Sequence, residues 1–313
     1  MRKKKIIISC GEILWDIFPD ITVLGGAPFN FINRINNLGD ISIFISRIGN
    51  DQNGKNALQQ LKSLGLSDQF IQIDKHKPTG TVSITLDEEN NADYTIHEQV
   101  AYDFIEPDRN IDLLLEQCDC FYYGTLIQRN EKSNDTLYYY LNNCSCLKFY
   151  DINLRKDCYQ KSSIVRSLFC ADIVKLNDQE VKVLIELLGY PPLTCLDFCN
   201  RLCADFSISQ VLVTFAAFGA FVYQSERESF YTPGYKVVVK DTVGAGDAFA
   251  AGFIHSFLHD NKIKQALDYA NKLGAIVATQ NGGTCPVSAK DFSQISASFS
   301  EINSIPDLMQ HLF

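Results

Sequence analysis

The sequence has no long apolar segment. None of its apolar runs approaches the roughly 18 residues that a membrane-spanning helix needs, so we expect no contact with a membrane. The apolar run after the basic start, residues 6–9, is too short for the core of a signal peptide, and Glu12 and Asp16 follow it closely. We therefore interpret residues 6–9 as the first strand of a cytoplasmic protein.

The sequence also has no C-x-x-C motif, although it contains eleven cysteines. The close pairs Cys118 with Cys120 and Cys144 with Cys146 have no matching histidine cluster, which argues against a zinc site. The odd count and the absence of an export signal argue against a disulfide framework. We expect reduced thiols that serve in packing.

Positive charge is scarce. The chain has 28 Lys and Arg against 37 Asp and Glu, a net charge of −9. Such a surface repels phosphate backbones, which argues against non-specific nucleic-acid binding. A nucleotide is not excluded, because one local positive site can hold it. With 46% hydrophobic residues over 313 positions, the chain can bury a sizeable core.

Segments typical of strands and helices alternate along most of the chain. The predicted strands are 6–9, 41–45, 121–123, 148–150, 173–175 and 211–214, and the predicted helices are 29–38, 56–64, 135–141, 163–169, 178–187 and 196–205. This alternation predicts an α/β fold with a mostly parallel sheet covered by helices on both faces.

One region breaks the alternation. Residues 81–86 and 92–97 alternate apolar and polar side chains around the polar turn 87–91, which predicts an antiparallel hairpin with one wet face. Residues 17–23 are a candidate for a further short strand. A small sheet of this kind suits a lid or a dimer surface, and we expect the hairpin to close over a bound substrate.

Residues 241–249 read DTVGAGDAF, between a predicted strand at 236–240 and a strongly apolar helix at 250–258. Small residues therefore lie at a helix N-terminus: Gly244, Ala245 and Gly246. The first backbone amides there lack partners within the helix and carry partial positive charge, so a phosphate can approach them closely. Asp247 falls in the first turn and can accept a hydroxyl proton. Alternatively, the glycines only shape a turn and Asp247 only complements the helix dipole.

Residues 241–254 resemble the C-terminal signature of the PfkB/ribokinase family of carbohydrate kinases at every constrained position. Residues 25–30 (GGAPFN), followed by Gly39 and Gly49, resemble the N-terminal signature. They depart from it only at Ile32, where the signature favours a small residue. The two segments lie about 200 residues apart in the expected order.

The resemblance covers about residues 6–288 and also implies a fold. It implies a single ribokinase-like α/β domain over residues 1–313, in which helices flank a mostly parallel central sheet. A small antiparallel β lid would be formed by about 15–24 and 79–102. A homodimer through the lid is expected from the family.

The resemblance also implies an activity, the ATP-dependent transfer of phosphate to a sugar hydroxyl. Asp247 would be the catalytic base, and residues 244–246 would hold the transferring phosphate. The expected partners are a small-molecule sugar and ATP, with Mg²⁺ as the metal cofactor.

Sugar binding is implied for an early acidic residue, a Gly-Gly pair and an asparagine: Asp16, Gly25, Gly26 and Asn30. Their chemistry agrees, because a carboxylate accepts hydrogen bonds from two hydroxyls, an amide both donates and accepts, and glycines admit the ring. Gly25 and Gly26 could equally form the turn that opens a helix at Pro28.

Residues 151–155 (DINLR) resemble a D-x-N-x-R element of the fructokinase and 2-keto-3-deoxygluconate kinase branch. They follow a predicted strand, at the edge where parallel sheets place ligand-binding residues. The resemblance makes Arg155 a substrate-binding residue that pairs with a phosphate or a carboxylate. A surface salt bridge is the alternative.

Residues 175–180 (KLNDQE) resemble the family's N-x-x-E motif. The resemblance gives Asn177 and Glu180 a role at Mg²⁺ and phosphate, mainly through water, because Mg²⁺ keeps several waters. Alternatively, Asn177 caps a helix and Glu180 completes a capping box. Asp241 and the Val243 carbonyl match positions that hold a monovalent cation, K⁺, in some relatives.

Nucleotide binding is implied for four residues: Thr214, Gly219, Asn271 and Gly283. Residues 213–216 (VTFA) lie where the family usually has V-T-x-G, and Ala216 replaces that glycine. This leaves the nucleotide preference open. Asn271 and the turn at 282–283 lie where relatives enclose the adenine.

Residues 49–56 (GNDQNGKN) nearly match a phosphate-binding P-loop between a predicted strand and a predicted helix. The last position is Asn56, so no hydroxyl is available there for Mg²⁺. We therefore interpret Lys55 as a solvated helix residue.

Three functions compete. Four segments together resemble fructokinases, which transfer the γ-phosphate of ATP to the 6-hydroxyl of fructose: 11–16, 25–30, 123–129 and 151–155. A 2-keto-3-deoxygluconate kinase should need additional arginine pairing for the substrate carboxylate. A non-catalytic sugar-binding regulator would be expected to lose Asp247 or the glycine turn, and both are present. The sequence favours the fructokinase.

Overall fold

The computed structural model describes residues 3–86, 92–225, 229–260, 262–297 and 302–303. The chain divides into two compact units, Met1–Cys146 and Leu147–Phe313. The turn predicted at 87–91 lies outside the described residues. Among those residues, no helix combines the length and the apolar character that crossing a bilayer requires.

The first unit contains a parallel sheet. Over its described residues the strands are β1 (Ile6–Cys10), β2 (Leu14–Ile17), β3 (Thr22–Gly25), β4 (Ile41–Gly49), β5 (Ile71–Asp74), β6 (Gly80–Leu86), β7 (Ala92–Ile96) and β8 (Cys120–Gly124), and the α-helices are α1 (Ala27–Asn37), α2 (Gln52–Ser63), α3 (Asp112–Gln117) and α4 (Glu131–Asn143). β1 pairs in parallel with β4 and β8, and β4 with β5. β1 reads IIISC and is almost wholly buried, as expected for a parallel strand covered on both faces.

A second, four-stranded sheet in this unit has the order β3-β2-β6-β7. The pairs β2–β3 and β6–β7 are antiparallel, and the central pair β2–β6 is parallel. The predicted hairpin is therefore present, and the segment 17–23 contributes to two short strands rather than one.

The second unit contains a mixed sheet. Over its described residues the strands are β9 (Leu147–Asp151), β10 (Ile173–Asn177), β11 (Gln210–Thr214), β12 (Gly219–Gln224), β13 (Phe230–Tyr235) and β14 (Ile302–Asn303), and the α-helices are α5 (Lys161–Cys170), α6 (Asp178–Leu188), α7 (Cys195–Phe206), α8 (Ala245–Asp260), α9 (Ile263–Ala278) and α10 (Ala289–Ala297). β9, β10 and β11 are parallel, whereas β12, β13 and β14 continue the sheet by antiparallel pairing. The predicted α/β class is confirmed.

The strand predicted at 236–240 is wrong. β13 ends at Tyr235, and the next residues have no regular structure. Val238 is 83% exposed, and the backbone amides of Lys240 and Asp241 donate to the carbonyl of Ala278 rather than to a neighbouring strand. The apolar valines produced a strand-like pattern in a segment that leaves the sheet.

Small residues bring α8 and α9 together. A Cβ atom added to Gly252 would lie 3.0 Å from Leu273 Cδ2 and 3.2 Å from Ala270 Cα, and one added to Gly274 would lie 3.1 Å from the carbonyl oxygen of Ala245. This close packing of α9 fixes the N-terminal turn of α8, which carries the candidate phosphate site.

Cys118 and Cys146 lie close together. The Cys118 thiol donates to Cys146 Sγ at 2.9 Å, and all eleven cysteines are free thiols in this structure. Most of them are buried, in agreement with a packing role. Their redox state in the cell stays a prediction.

Candidate active site

The turn before α8 depends on Gly244. Its φ is +76°, in the left-handed region that favours glycine, and a Cβ atom there would lie 2.3 Å from Gly283 Cα. The Ala248 amide donates to the Gly244 carbonyl at 2.8 Å and closes the first helical turn. The helix therefore begins at Ala245, within the GAG segment, as predicted.

Gly246 is open on its side-chain face. Among the described residues outside its own helix, the nearest atom to an added Cβ would be Lys175 Nζ, at 3.6 Å. The first amides of an α-helix have no acceptor within the helix and carry partial positive charge. Helix amides, a missing side chain and a nearby ammonium together make this turn suited to an anion such as phosphate.

Asp247 lies in the first turn of α8 and is partly exposed. Its negative charge is one of those that stabilise the charged form of Lys175. A carboxylate beside an anion site at a helix N-terminus can accept a proton from a hydroxyl that attacks the bound phosphate. Asp247 therefore lies beside the candidate anion site, and its role as the catalytic base stays a prediction.

Asp241 ties the turn to a second loop. Its Oδ1 accepts from the Val243 amide and its Oδ2 from the Gly282 amide, both at 2.9 Å. This cross-link holds the loop 282–283 against Gly244. The role of Asp241 and the Val243 carbonyl at a K⁺ ion stays a prediction.

Asn177 and Glu180 form the capping box of α6. Asn177 Oδ1 accepts from the amides of Gln179 and Glu180, and Glu180 Oε2 accepts from the Asn177 amide at 2.8 Å. Glu180 Oε1 accepts from the Leu154 amide at 2.7 Å. Burial raises the pKa of the Glu180 carboxyl, and the Lys175 ammonium offsets part of that rise.

The capping role of this pair is therefore observed, and the metal role stays a prediction. Each Glu180 oxygen already accepts one amide, yet a carboxylate oxygen can accept a further hydrogen bond. The donor set thus fits a hydrated Mg²⁺ held through water better than an ion bound directly by Glu180.

The loop after β9 carries Arg155. The Ile152 amide donates to the Lys175 carbonyl at 2.9 Å, and Asn153 has a φ of +39°, in the left-handed region. Arg155 itself is exposed. The loop is thus held by β10 and by Glu180, and it presents the guanidinium of Arg155 to solvent, where a ligand could reach it.

The predicted sugar residues lie close together within the first unit. Asp16 on β2 is opposite Val23 on β3, and a Cβ atom added to Gly25 would lie 2.5 Å from Asp16 Oδ2. Gly26 has a φ of +109° and its carbonyl accepts from the Asn30 amide at 2.9 Å. The Gly-Gly pair therefore opens α1 and also makes room for the Asp16 carboxylate. The role of these residues in sugar binding stays a prediction.

Glu12 also belongs to this turn, a residue that the sequence did not single out. It is buried, its Oε1 accepts from the Ala27 amide at 3.3 Å, and its carbonyl oxygen would lie 2.6 Å from a Cβ atom on Gly26. Nothing in the sequence around Glu12 indicated this contact, because its partners Gly26 and Ala27 lie about fifteen residues further along the chain.

The residues predicted for the nucleotide have structural roles of their own. A Cβ atom on Gly219, whose φ is +105°, would lie 2.1 Å from the Thr232 carbonyl oxygen. The side-chain Nδ2 of Asn271 donates to the Pro233 carbonyl at 2.8 Å. Thr214 ends β11, and Gly283 contacts Gly244. Nucleotide binding by these residues stays a prediction.

The near P-loop at 49–56 is filled by the protein itself. Asp51 caps α2, with Oδ1 accepting from the Gly54 amide at 2.7 Å and Oδ2 from the Thr79 amide at 2.8 Å. A carboxylate therefore lies where a P-loop would hold a phosphate. Lys55 is exposed, as predicted.

Comparison with known proteins places these observations in a family. The model for pfkB family carbohydrate kinases matches residues 22–290. The chain is 27% identical over 311 residues to probable fructokinase-5 of Arabidopsis thaliana, covering 90% of this chain and 94% of that protein. It is 26% identical over 300 residues to a fructokinase of Escherichia coli, covering 87% and 92%.

Solved structures show the same fold. The fructokinase from Xylella fastidiosa with bound ATP matches with a TM-score of 0.83 at 19% identity, over 96% of this chain and 100% of that one. A fructokinase double mutant from Vibrio cholerae O395, in a form with bound fructose, ADP and potassium ion, matches with a TM-score of 0.80 at 24% identity, over 94% and 99%.

Proposed function

Because the chain belongs to the pfkB family of carbohydrate kinases, we propose that this sugar kinase transfers the γ-phosphate of ATP to the 6-hydroxyl of fructose. The observation that carries the proposal is the N-terminal turn of α8, where Gly246 is open beside Lys175 and Asp247 lies in the same turn. Support for fructose comes from relatives named fructokinases that align along about nine-tenths of the chain.

The proposed chemistry uses the turn in two ways. The amides of the first turn bind the transferring phosphoryl group, and the absence of a side chain at Gly246 lets it approach them. Asp247 accepts the proton of the attacking sugar hydroxyl as the new P–O bond forms. A weakly basic carboxylate suffices for this role, because the loose transition state releases the hydroxyl proton late.

The sugar contacts that we propose are in the first unit. The Asp16 carboxylate accepts hydrogen bonds from two hydroxyls, and Asn30 donates one and accepts another. Gly25 and Gly26 leave space for the ring. Arg155, a residue of the second unit, pairs with a phosphate oxygen through its exposed guanidinium.

The nucleotide and ion contacts are proposed on the family resemblance. Thr214, Gly219, Asn271 and Gly283 are assigned to the nucleotide. Asn177 and Glu180 would hold Mg²⁺ through water, and Asp241 with Val243 would hold K⁺. When bound, Mg²⁺ would neutralise part of the phosphate charge.

The wider organisation is also a proposal. We propose one ribokinase-like domain with a lid formed by about 15–24 and 79–102, and a homodimer through that lid. The cytoplasm is the proposed compartment. The runner-up function is a 2-keto-3-deoxygluconate kinase, which the exposed guanidinium of Arg155 favours, because it could pair with a sugar-acid carboxylate.

An ADP-release assay tests the function. The purified protein with ATP and Mg²⁺ is offered fructose, 2-keto-3-deoxygluconate, ribose, glucose, tagatose and adenosine, each over a range of concentrations. We expect the highest kcat/KM for fructose. A higher kcat/KM for 2-keto-3-deoxygluconate would replace fructose as the substrate, and ADP release that no sugar stimulates would contradict the kinase assignment.

A further inference from the structure

A buried lysine lies in the middle of the second unit's sheet. Lys175 on β10 is 6% exposed, and its neighbours Val174 and Leu176 are fully buried. An ammonium in such surroundings is costly unless it is paired and hydrogen-bonded. The presence of a lysine in this apolar strand therefore needs a structural or functional explanation.

Asp151 provides the pairing. The β9–β10 register sets Lys175 opposite Asp151, and Lys175 Nζ donates to Asp151 Oδ1 at 2.9 Å and to Oδ2 at 3.0 Å. Asp151 is 1% exposed. The bidentate contact fixes the ammonium in one position. A group that binds a ligand needs to be held in place in this way.

The pair alone does not explain the lysine. Two apolar side chains of similar volume would stabilise a sheet as well as a buried ion pair does, because desolvation of the two charges consumes most of their attraction. The pair also lies at the C-terminal end of β9 and near that of β10, the edge at which parallel sheets bind ligands. Its position thus favours a role in binding over a role in folding.

Further charges surround the ammonium. Burial lowers the pKa of Lys175, but nearby carboxylates outweigh burial and raise the pKa above its ordinary value. These carboxylates are Asp151, Glu180 and Asp247. The Lys175 ammonium therefore lies among several negative charges, and an additional anion in this region would need it to offset them.

The ammonium is within reach of the proposed phosphate site. Lys175 Nζ lies 3.6 Å from the position that a Cβ atom of Gly246 would take. A phosphoryl group bound to the first-turn amides on that face of α8 would contact both the amides and the ammonium. Lys175 brings a full positive charge to this open face, whereas the amides contribute only partial charges.

We propose that Lys175 is a catalytic residue whose ammonium contacts the transferring phosphoryl group and stabilises its charge, with Asp151 as the positioning residue. The proposal rests on the proposed function of the α8 turn as the phosphate site. In the reaction, the bond from the sugar oxygen to phosphorus forms and the bond from phosphorus to the bridging oxygen of ADP breaks. The electron pair of that bond stays on ADP, the hydroxyl proton passes to Asp247, and Lys175 keeps its own protons.

Four variants test this role: Lys175→Met, Lys175→Arg, Asp151→Asn and the double variant Lys175→Met with Asp151→Leu. For Lys175→Met we expect kcat to fall roughly 10²–10³-fold, the usual loss when one charge-stabilising donor is removed. The affinity for fructose should change by less than about threefold, since Lys175 makes no proposed contact with the sugar. Lys175→Arg should recover part of kcat, and Asp151→Asn should lower kcat less than Lys175→Met does.

The double variant separates catalysis from folding. It replaces the buried pair by two apolar side chains, so its thermal stability should return to near that of the wild type. Its kcat should stay as low as that of Lys175→Met. Recovery of both stability and kcat in the double variant, or a Lys175→Met protein that is folded and turns over within about threefold of the wild type, would overturn the proposal.

Calorimetric titration with nucleotides tests the role of Lys175 independently of which sugar is the substrate. If the wild type turns over none of the sugars, the proposed function fails. Lys175→Met should nevertheless weaken ATP binding at least about tenfold more than AMP binding, because a contact with the terminal phosphate is lost. Equal losses for ATP and AMP would contradict the contact. A wild type that binds no ATP would contradict the phosphate site and the lysine's role together.

Discussion

Gly244 lies so close to Gly283 that a Cβ atom on Gly244 would be 2.3 Å from the Cα atom of Gly283. The contact joins the turn that starts α8 to the loop that follows α9, and Asp241 reinforces it through the Gly282 amide. The shape of the candidate phosphate site is therefore set by two segments about forty residues apart in the chain.

The first prediction concerns Gly244→Ala. The methyl group would be strained by the φ of +76° and would collide with the backbone of the 282–283 loop. Gly189→Ala is a matched control, because Gly189 has the same φ of +76° and no atom within 4 Å of an added Cβ. Both variants should lose about 1–2 kcal/mol from the left-handed backbone.

Gly244→Ala should lose about 1–3 kcal/mol more, the usual effect of overpacking. Its kcat should fall as well, whereas the kcat of Gly189→Ala should not change. Urea unfolding and the ADP-release assay measure the two effects. Equal losses of stability in the two variants would show that the 282–283 loop yields freely to the new methyl group.

The second prediction concerns Asp247→Asn. The amide keeps the shape of the side chain but cannot accept the hydroxyl proton, so kcat should fall roughly 10²–10⁴-fold. Fructose binding, measured by calorimetry, should be nearly unchanged. If Asp247 only complements the helix dipole, the loss should be in stability instead and should amount to about 0.3–1 kcal/mol.

Asp197→Asn is the control for the dipole effect, since Asp197 lies in the first turn of α7. It should show the small loss of stability without a change in kcat. Turnover of Asp247→Asn close to the wild-type rate would remove Asp247 from the mechanism.

The sequence predicted the local features of this site well. The turn at 244–246 and the capping residues at 177–180 follow from glycine spacing and polar side chains next to apolar helices. The contact of Glu180 with the Leu154 amide and the pairing of Lys175 with Asp151 depend on how β9 and β10 are registered, which no local pattern contains. A single lysine inside an otherwise apolar strand was the one visible sign of that pair.

Two segments show how a local pattern can mislead: the strand wrongly predicted at 236–240, and the near P-loop at 49–56, to which we assigned no phosphate role. Residues 236–240 have the three consecutive valines typical of a strand, but the Lys240 amide donates to the carbonyl of Ala278 at the end of α9. The glycines at 49–56 have the spacing of a P-loop, but Asp51 turns back to cap its own helix and bind Thr79. In both segments a tertiary partner that is distant in sequence decides the structure.

The third prediction concerns Ala216, which occupies the position where the family usually has glycine. Its φ is +49°, a conformation that costs an alanine about 1–2 kcal/mol. Ala216→Gly should relieve this strain and, after the added flexibility of the unfolded chain is subtracted, stabilise the protein by about 0.5–1 kcal/mol. Chemical denaturation measures the difference.

Ala217→Gly is the neighbouring control, because Ala217 is not among the residues with positive φ. It should destabilise the protein by about 0.5–1 kcal/mol. Destabilisation by both substitutions would mean that the conformation at 216 is not strained. Stabilisation by Ala216→Gly alone would identify the strain as the physical reason for the glycine in relatives.

The fourth prediction concerns acid stability and the Asp51 cap. Burial raises the pKa of Asp51, but hydrogen bonds from Thr79 and Gly54 outweigh it and hold the pKa below its ordinary value. A carboxyl with a lowered folded-state pKa stabilises the fold at pH values above its unfolded-state pKa, and this contribution is lost as the pH falls through the folded-state pKa. The Asp51 contribution should therefore be complete at neutral pH and disappear in acid.

Asp51→Asn should remove this contribution, because an amide group would bring a donor towards the Thr79 amide in place of an acceptor. The loss at neutral pH should be about 1–3 kcal/mol. Urea unfolding of wild type and variant from neutral to acidic pH should give curves that converge as the pH falls below the ordinary aspartate range. With Asp135→Asn, an exposed position on α4, the difference from wild type should stay small at every pH. A loss for Asp51→Asn that is constant with pH would mean that the shape of the side chain, and not its charge, holds α2 to Thr79.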